Sequence, residues 1–221
     1  IKAFAKALTE ARFDAYLVIP KPRGSIPPEL RHNVKVYTVP IGAKGVQDQL
    51  IRGLTVLYVA KVLAEKKNGI IQIEHSTLGG LASIIGIRNY VLDVHDIVHT
   101  SPMYRQIIPN VQRFIYVAER KAVNSASEII VVSNAMKRFL VTQWNVPEEK
   151  IAVIPNGYWQ RKIESIVSEP QHHETSKENI IVRVGLIFDF LNIEAIIQLA
   201  KLLKNDAKVV LVGDGSLKPY L

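Results

Sequence analysis

The stretch from residue 128 to residue 157 restricts the possible fold more than any other part of this sequence. It begins with the apolar run Ile129–Val132, which has the length and the β-branched content of a buried strand. Ser133 or Asn134 follows, and either side chain offers an oxygen that can cap the N-terminus of a helix. Apolar residues then recur at helical spacing over Ala135–Trp144, which predicts a helix.

The second half of this stretch predicts the end of the helix and a second strand. Asn145-Val146-Pro147 ends the helix, because the residue before a proline is disfavoured in the α region. We interpret Lys150–Ile154 as the second strand and Pro155-Asn156-Gly157 as a sharp turn, whose last two residues are suited to positive φ. Such a unit predicts parallel strands joined by a right-handed crossover.

The same alternation of strands and helices continues through the rest of the chain. Further strands are predicted over Ala15–Pro20, Val34–Val39, Ile70–Glu74, Tyr90–Val94, Asn179–Val184 and Lys208–Val212. Further helices are predicted over Ile1–Arg12, Gly45–Lys67, Thr77–Gly86, Ile107–Ser125 and Ile193–Leu203. Strands alternating with helices of these lengths predict an α/β fold, with a Rossmann-like parallel sheet and helices on both faces.

A polar segment without periodicity interrupts this alternation and predicts a domain boundary. We predict a first Rossmann-like domain over residues 1–158, a linker over residues 159–178 and the beginning of a second Rossmann-like domain over residues 179–221. The last block is too short to bury such a core alone, so we expect this second domain to be incomplete. His172 and His173 lie in the linker without acidic or cysteine partners at ligand spacing, so we predict no metal site there.

Composition narrows the class of protein. Of 221 residues, 48% are hydrophobic and 22% charged, which is typical of a globular protein in solution. Cysteine is absent, which excludes disulfides and thiolate metal sites. The sequence shows no apolar run of the ~18 residues that span a membrane and no signal-peptide pattern, so we expect a cytoplasmic protein.

The net charge of +8 is confined to the first part of the chain. Up to Tyr158 there are 20 Lys and Arg against 12 Asp and Glu, and after it there are 8 of each. A basic first domain can face an anionic membrane surface, a phosphorylated acceptor or nucleic acid. The same excess of positive charge is equally compatible with a solvated surface that binds no partner. Nothing matches a nucleic-acid-binding module, and aromatic residues are not interleaved with the basic ones, so we predict no nucleic-acid partner.

Three segments, VVSNAMK, VPEEKIAVIPNG and VVLVGDG, add a specific signal. In this order and at about this spacing they resemble the signature segments of the retaining, nucleotide-sugar-dependent glycosyltransferases of family 4, which have the GT-B fold. The resemblance implies transfer of a sugar from a nucleotide-diphosphate sugar to an acceptor, with retention at the anomeric carbon and with no metal ion or other cofactor. It also implies a strand and a glycine-rich loop before Ile1, so we expect a partial chain.

The ends of the predicted strands indicate where a site would lie. In open α/β sheets, ligands bind outside the carboxyl ends of the strands. His75 follows one predicted strand, and His95 and Asp96 follow the next, with His99 four residues after His95. By the resemblance, His95 contacts a sugar hydroxyl or the positive charge that develops at the anomeric carbon. Asp96 orients His95 or the acceptor, and His75 lines the cleft.

The remaining candidate residues are selected because they lie at this edge of the sheet or because the resemblance assigns them a role. Ser133 and Asn134 lie at a helix start, which favours anionic groups. The resemblance places Asn156 and Gly157 at the floor of the cleft. In the second domain it assigns donor binding to Gly185, Gly213, Asp214 and Gly215.

One departure from the family pattern concerns the charge of the donor. The family commonly places an arginine and a lysine after the first strand of the second domain, where they bind the diphosphate. Here the arginine position holds Leu186, and Leu191-Asn192 replaces the Lys-Gly pair. Either another cation takes over this role or donor binding is lost.

Three functions therefore remain open. The first is a glycosyltransferase that acts on a glycan or on a lipid-linked or phosphorylated acceptor. Its basic first domain could then contact the cytoplasmic face of an anionic membrane. The second is a nucleotide-sugar epimerase of GT-B fold, which needs no acceptor. The third is a non-catalytic protein that kept the fold and either binds sugar nucleotides or serves in assembly.

Overall fold

The structure is a computed structural model that describes residues 7–21, 25–26, 28, 34–40, 46–100, 109–157, 164, 179–188 and 191–220. The chain divides into two compact units, Ile1–Trp159 and Gln160–Leu221. The start of the first predicted helix, most of the predicted linker and the pair His172-His173 lie outside the described residues. Each unit is described by itself below.

The strands of the first unit form two parallel sheets. One sheet pairs β1 (Tyr16–Pro20) with β2 (Lys35–Val39). The other has the order β3-β4-β5-β6, with every pair parallel, and consists of Ile71–Glu74, Tyr90–Val94, Glu128–Val131 and Ile151–Val153. These bounds differ by at most one residue at either end from the predicted ones, and the predicted parallel pairing is confirmed.

The helices of the first unit also lie within two residues of their predicted positions. They are α1 (Val46–Lys67), α2 (Ser76–Ile84), α3 (Pro109–Ser125) and α4 (Asn134–Trp144). Ser133 has extended φ and ψ, and its Oγ accepts a hydrogen bond of 3.2 Å from the backbone nitrogen of Met136. Ser133 is therefore the N-cap of α4, and Asn134 is the first helical residue.

Among the described residues, the strands of the first unit divide into two separate sheets, β1–β2 and β3–β6. Helix α1 contacts β1, β2 and β3 and so packs against both sheets. Alternation of strands and helices determines the direction of the strands but not which strands are neighbours. The division into two sheets therefore could not be predicted from the pattern.

The expected positive φ at Asn156 and Gly157 was also wrong. The positive φ angles near this part of the chain belong to Asn145, with φ 53°, and not to the turn after β6. Asn145 is the C-cap of α4, where a left-handed residue ends a helix, as Asn68 does after α1 with φ 48°.

The core of the first unit lies between the four-stranded sheet and helices α2, α3 and α4. Leu92, Ile129 and Leu140 are fully buried in it. The hydroxyl of Tyr90 lies 2.8 Å from the carbonyl oxygen of Ala122 and 3.2 Å from that of Gly79, so one phenol connects α2 and α3. Burial raises the pKa of the Tyr90 phenol above its usual range, which keeps the hydroxyl protonated as a donor.

The second unit contains a parallel pair of strands and a helix. Strands β7 (Ile180–Val184) and β8 (Lys208–Val212) flank α5 (Ile193–Leu202) in sequence. Asn192 caps this helix, because its Oδ1 accepts a hydrogen bond of 3.0 Å from the backbone nitrogen of Ala195. Among the helices that the structure describes, none is long and apolar enough to cross a membrane.

Candidate active site at the carboxyl edge of the sheet

The register of the four-stranded sheet brings several predicted site residues to one edge. Glu74 pairs with Asp93, and Val94 and Val153 both pair with Val131, so the strands end nearly level. All four strands are parallel, and the residues that follow them therefore lie at the same edge. These residues are His75, His95 and Asp96, Ser133 and Asn134, and Asn156 and Gly157.

His95 stands at this edge with an acidic partner on its own strand. Its Nε2 lies 3.5 Å from Oδ1 of Asp93, and 43% of the His95 side chain is exposed. The other carboxylate oxygen of Asp93 accepts a hydrogen bond of 3.3 Å from Nε2 of Gln72 on β3. The imidazole thus lies next to a carboxylate that is itself held by a neighbouring strand.

Sequence reasoning missed Asp93 and assigned the orienting role to Asp96. Asp93 lies two residues before His95, and side chains at this spacing point to the same side of a strand. An aspartate inside an apolar strand is uncommon and was the available signal. Asp96 is an exposed residue beyond the end of β4, and its predicted role, to orient His95 or the acceptor, stays a prediction.

His75 has an unusual backbone conformation between β3 and α2. Its φ is 79° and its ψ 126°, and its side chain does not cap the helix that follows. Its backbone nitrogen donates a hydrogen bond of 3.2 Å to the carbonyl oxygen of Asp93. Positive φ at a residue with a side chain is strained by about 1–3 kcal/mol, and such strain concentrates at functional sites. His75 is therefore held in place by its surroundings.

The N-terminus of α4 contributes a further polar feature to the edge. The helix has 11 residues and no acidic residue in its first turn, so the partial positive charge of its N-terminus is not offset there. Ser133 caps it, and Asn134 is exposed at its first position. Backbone N–H groups at such a helix start can bind an anionic group.

Asn156 and Gly157 end the described part of the first unit. The backbone nitrogen of Ile154 donates a hydrogen bond of 2.8 Å to the carbonyl oxygen of Val131, which holds the chain against β5 just beyond β6. Asn156 and Gly157 then follow as exposed residues, and a Cβ on Gly157 would meet nothing within 4 Å. They are accessible at the edge, and their predicted role in the cleft stays a prediction.

The glycines of the second unit allow two loops to approach each other closely. Gly185 and Gly213 have φ of 146° and 156°, where a side chain is strained. A Cβ on Gly213 would overlap the carbonyl oxygen of Gly185, and a Cβ on Gly215 would overlap that of Ile187. The loops after β7 and β8 are joined by a hydrogen bond of 3.0 Å from the nitrogen of Ile187 to the carbonyl oxygen of Asp214.

The charged groups next to these loops are Arg183, Asp214 and Lys218. Nη2 of Arg183 donates a hydrogen bond of 3.2 Å to the carbonyl oxygen of Leu186, and Nη1 is buried without a hydrogen-bond partner among the described residues. Nζ of Lys218 lies 3.5 Å from Oδ1 of Asp214. A guanidinium therefore lies beside Leu186, where the family pattern has its own arginine. An arginine inside an apolar strand was the signal that sequence reasoning overlooked.

The described part of the chain contains no group of three or more His, Asp or Glu side chains that could hold a metal ion. The absence of a metal from the reaction stays a prediction, because the structure does not test it.

Comparison with known proteins gives a family and a fold. The profile of glycosyltransferase family 4 matches residues 1–158. Among solved structures, a glycosyltransferase from Rickettsia africae ESF-5 is 14% identical with a TM-score of 0.45, over 96% of this chain and 63% of that one. Apo UGT2 from Phytolacca americana is 12% identical with a TM-score of 0.50, over 96% of this chain and 69% of that one.

These comparisons bear on the fold and on the length of the chain. Together with the parallel sheets, the likeness to the Phytolacca protein confirms the predicted α/β fold of the GT-B type. The chain spans less than two thirds of the Rickettsia protein. No curated protein sequence matches it.

Proposed function

This chain belongs to glycosyltransferase family 4, and we propose that it transfers a sugar from a nucleotide-diphosphate sugar to an acceptor, with retention at the anomeric carbon. The observation that carries this proposal is the exposed imidazole of His95, which Asp93 and Gln72 orient at the carboxyl edge of a parallel sheet. Ligands of α/β proteins bind at this edge, so His95 stands where a sugar would lie.

In the proposed reaction, His95 contacts the sugar as its bond to the diphosphate breaks. Its imidazole binds a sugar hydroxyl or stabilises the positive charge that develops at the anomeric carbon. The carboxylate of Asp93, 3.5 Å away, keeps the ring in one orientation and adds negative charge on its far side. A fixed polar group stabilises a transition state more than a mobile one, because it does not have to reorganise during the reaction. Asp96 then contacts the acceptor.

The departing diphosphate needs a balancing positive charge. In the second unit we assign this role to Arg183, whose guanidinium lies beside Leu186 and has one buried nitrogen without a hydrogen-bond partner among the described residues. Gly185, Gly213, Asp214 and Gly215 form the adjoining loops. In the first unit, taken by itself, the N-terminus of α4 at Ser133 and Asn134 is suited to an anionic group of a substrate. With these groups the proposed reaction needs neither a metal ion nor another cofactor.

Titration of a panel of nucleoside diphosphates and their sugars into the full-length protein tests the donor. We expect saturable binding of one nucleotide sugar by calorimetry. Arg183→Gln should weaken it about 10- to 100-fold, because a hydrogen bond to a charged group contributes about 1.5–3 kcal/mol. Arg88→Gln, at an exposed position before β4, removes the same charge and should leave the affinity unchanged. Absence of binding across the panel would contradict the donor site and, with it, the proposed sugar transfer.

Product analysis separates transfer from epimerisation. With the identified donor and candidate glycan or lipid-linked acceptors, a glycosyltransferase releases the nucleoside diphosphate and leaves a glycosylated acceptor. An epimerase changes the sugar of the donor without an acceptor. The anomeric configuration of the product, read by NMR, then tests retention.

We further propose that the first unit contacts an anionic membrane at its cytoplasmic face, which would give access to a lipid-linked acceptor. Helix α1 exposes Ile51 and Tyr58, at 53% and 64%, and the partly exposed Lys61 lies three residues after Tyr58, where it is a neighbour on the helix surface. Leu54, Tyr58, Lys61 and Ile85 line a groove beside them. Apolar side chains next to a lysine are suited to a membrane interface, where the ring inserts and the ammonium group meets lipid phosphates.

Sedimentation with anionic liposomes at low salt tests this contact. Lys61→Glu should lower retention of the protein about tenfold, since each basic residue near an anionic surface contributes about 1 kcal/mol. Lys201→Glu makes the same change of charge on an exposed position of α5 in the second unit and should retain most of the binding. If the unchanged protein does not sediment with the liposomes, the membrane contact is wrong.

A further inference from the structure

Glu119 on α3 is a buried acidic residue to which the proposed reaction gives no role. Its side chain has no exposed surface. Oε1 accepts hydrogen bonds of 2.7 Å from Oγ of Ser76 and of 2.8 Å from the backbone nitrogen of Val98. Oε2 accepts one of 3.1 Å from the backbone nitrogen of His99 and lies 2.7 Å from Nδ1 of the same residue. One carboxylate therefore holds two separate loops.

These two loops carry the histidines of the candidate active site. Ser76 directly follows His75 after β3, and Val98 and His99 lie three and four residues after His95, beyond β4. We propose that Glu119 is a positioning residue that fixes the loops of His75 and His95 relative to each other. This inference rests on the proposed function only in the roles it gives to the two histidines.

The loop after β4 is fixed from both sides. The ring of His99 stacks on Trp144, with centroids 5.5 Å apart and planes 25° from parallel, and meets the edge of Tyr116 at 5.0 Å. This packing orients the ring so that Nδ1 faces Glu119. The segment that contains His95 and Asp96 is thus held between β4 at one end and Glu119 at the other.

The loop after β3 needs such support because of the backbone of His75. Its φ of 79° persists only where the surrounding structure determines it. The hydrogen bond from Ser76 to Glu119 fixes the next residue, at the first position of α2. A carboxylate suits this position because it accepts from several donors at once, whereas an amide of the same shape has one accepting oxygen and one donating nitrogen.

Glu119→Gln in the full-length protein tests this role with little change of volume. The amide nitrogen would replace a carboxylate oxygen that accepts hydrogen bonds, and it cannot accept them. The donors on one of the two loops would then lose their partner, so that loop must move. We expect the NMR signals of the His75 and His95 side chains to shift. We also expect the rate constant at saturating donor to fall about tenfold, while donor affinity changes by less than twofold, because misplacement of a reacting group by ~1 Å can cost up to about 100-fold.

Tyr90→Phe is the matched control, since it removes a buried hydroxyl that connects α2 and α3 but touches neither loop. It should lower the unfolding midpoint without shifting the signals of His75 and His95. Ser76→Ala removes one bond to Glu119 and should shift the His75 signal alone, which keeps the test possible if Glu119→Gln does not fold.

Two outcomes would overturn the inference. Unchanged histidine signals in Glu119→Gln would show that the carboxylate does not set the loops, and equal shifts in Tyr90→Phe would show that any loss of stability moves them. The NMR readout needs no substrate, so it separates a failure of this inference from a failure of the proposed function.

Discussion

His95→Ala should lower the rate constant for sugar transfer at saturating donor by about 10²–10⁴-fold. Removing one fixed polar group that stabilises developing charge costs about 10²–10³-fold, and the upper end of the range applies if the imidazole also moves a proton of the sugar hydroxyl it binds. The substitution removes the imidazole that Asp93 orients at the sheet edge and leaves the core intact, because 43% of the His95 side chain is exposed. The unfolding midpoint should therefore stay close to that of the unchanged protein. Initial rates with the donor identified by titration provide the measurement.

Two further variants test whether the loss of rate is specific to His95 and its partner Asp93. Asp93→Asn keeps the size of the partner but removes its charge, so it should cause an intermediate loss of about tenfold, since Gln72 and β3 still hold the side chain. Arg88→Ala changes an exposed residue before β4, at the opposite end of the strand, and should leave the rate unchanged. Transfer by His95→Ala within twofold of the unchanged protein would remove His95 from the mechanism.

The parts of the site that the sequence predicted are those determined by local pattern. Val94 ends a short apolar strand, so the position of His95 at the sheet edge followed from the strand and from the rule for parallel sheets. Ser133 and Asn134 were the two candidate caps, because a side-chain oxygen between a strand and a helix commonly caps the helix, and the structure selects Ser133. The parallel direction of β3–β6 followed in the same way from alternation with helices.

The parts that could not be predicted depend on contacts between distant residues. Glu119 contacts Ser76, which is 43 positions away in the sequence, and His99, which is 20 positions away. No local pattern distinguishes Glu119 from the exposed charged residues of α3. Gln72 and Asp93 lie on different strands, so their contact depends on the register. The separation of β1–β2 from β3–β6 likewise depends on which strands are neighbours, which a single sequence does not specify.

Gly80→Ala should destabilise the fold of the first unit although it adds only one methyl group. Gly80 lies in α2, where α2 packs closely on α3, and a Cβ there would lie 2.5 Å from the carbonyl oxygen of Ala118 and 2.8 Å from its carbonyl carbon. These are backbone atoms, so the helices would have to separate, which costs about 3 kcal/mol. Alanine recovers about 1 kcal/mol through its higher helix propensity. A net loss of about 2 kcal/mol lowers the unfolding midpoint by roughly 4–8 °C.

Gly53→Ala in α1 is the matched control for this prediction. There the added Cβ lies 3.3 Å from Cδ1 of Leu81 and 3.4 Å from Cδ1 of Leu78, which are the ends of flexible side chains. The gain in helix propensity should then outweigh the cost of this contact. The variant should be as stable as the unchanged protein or up to about 1 kcal/mol more stable. Thermal unfolding of both variants measures the difference. Equal midpoints for them would mean that α2 and α3 can separate without loss.

The same substitution links the fold to the site. Glu119 directly follows Ala118 on α3, and Ser76, to which it is bonded at 2.7 Å, begins α2. Separating the two helices by even a few tenths of an ångström lengthens this bond and releases the loop that begins at His75. In Gly80→Ala the NMR signal of His75 should therefore shift well below the unfolding midpoint, as it should in Ser76→Ala. A loss of stability without this shift would mean that the close helix contact supports the core alone.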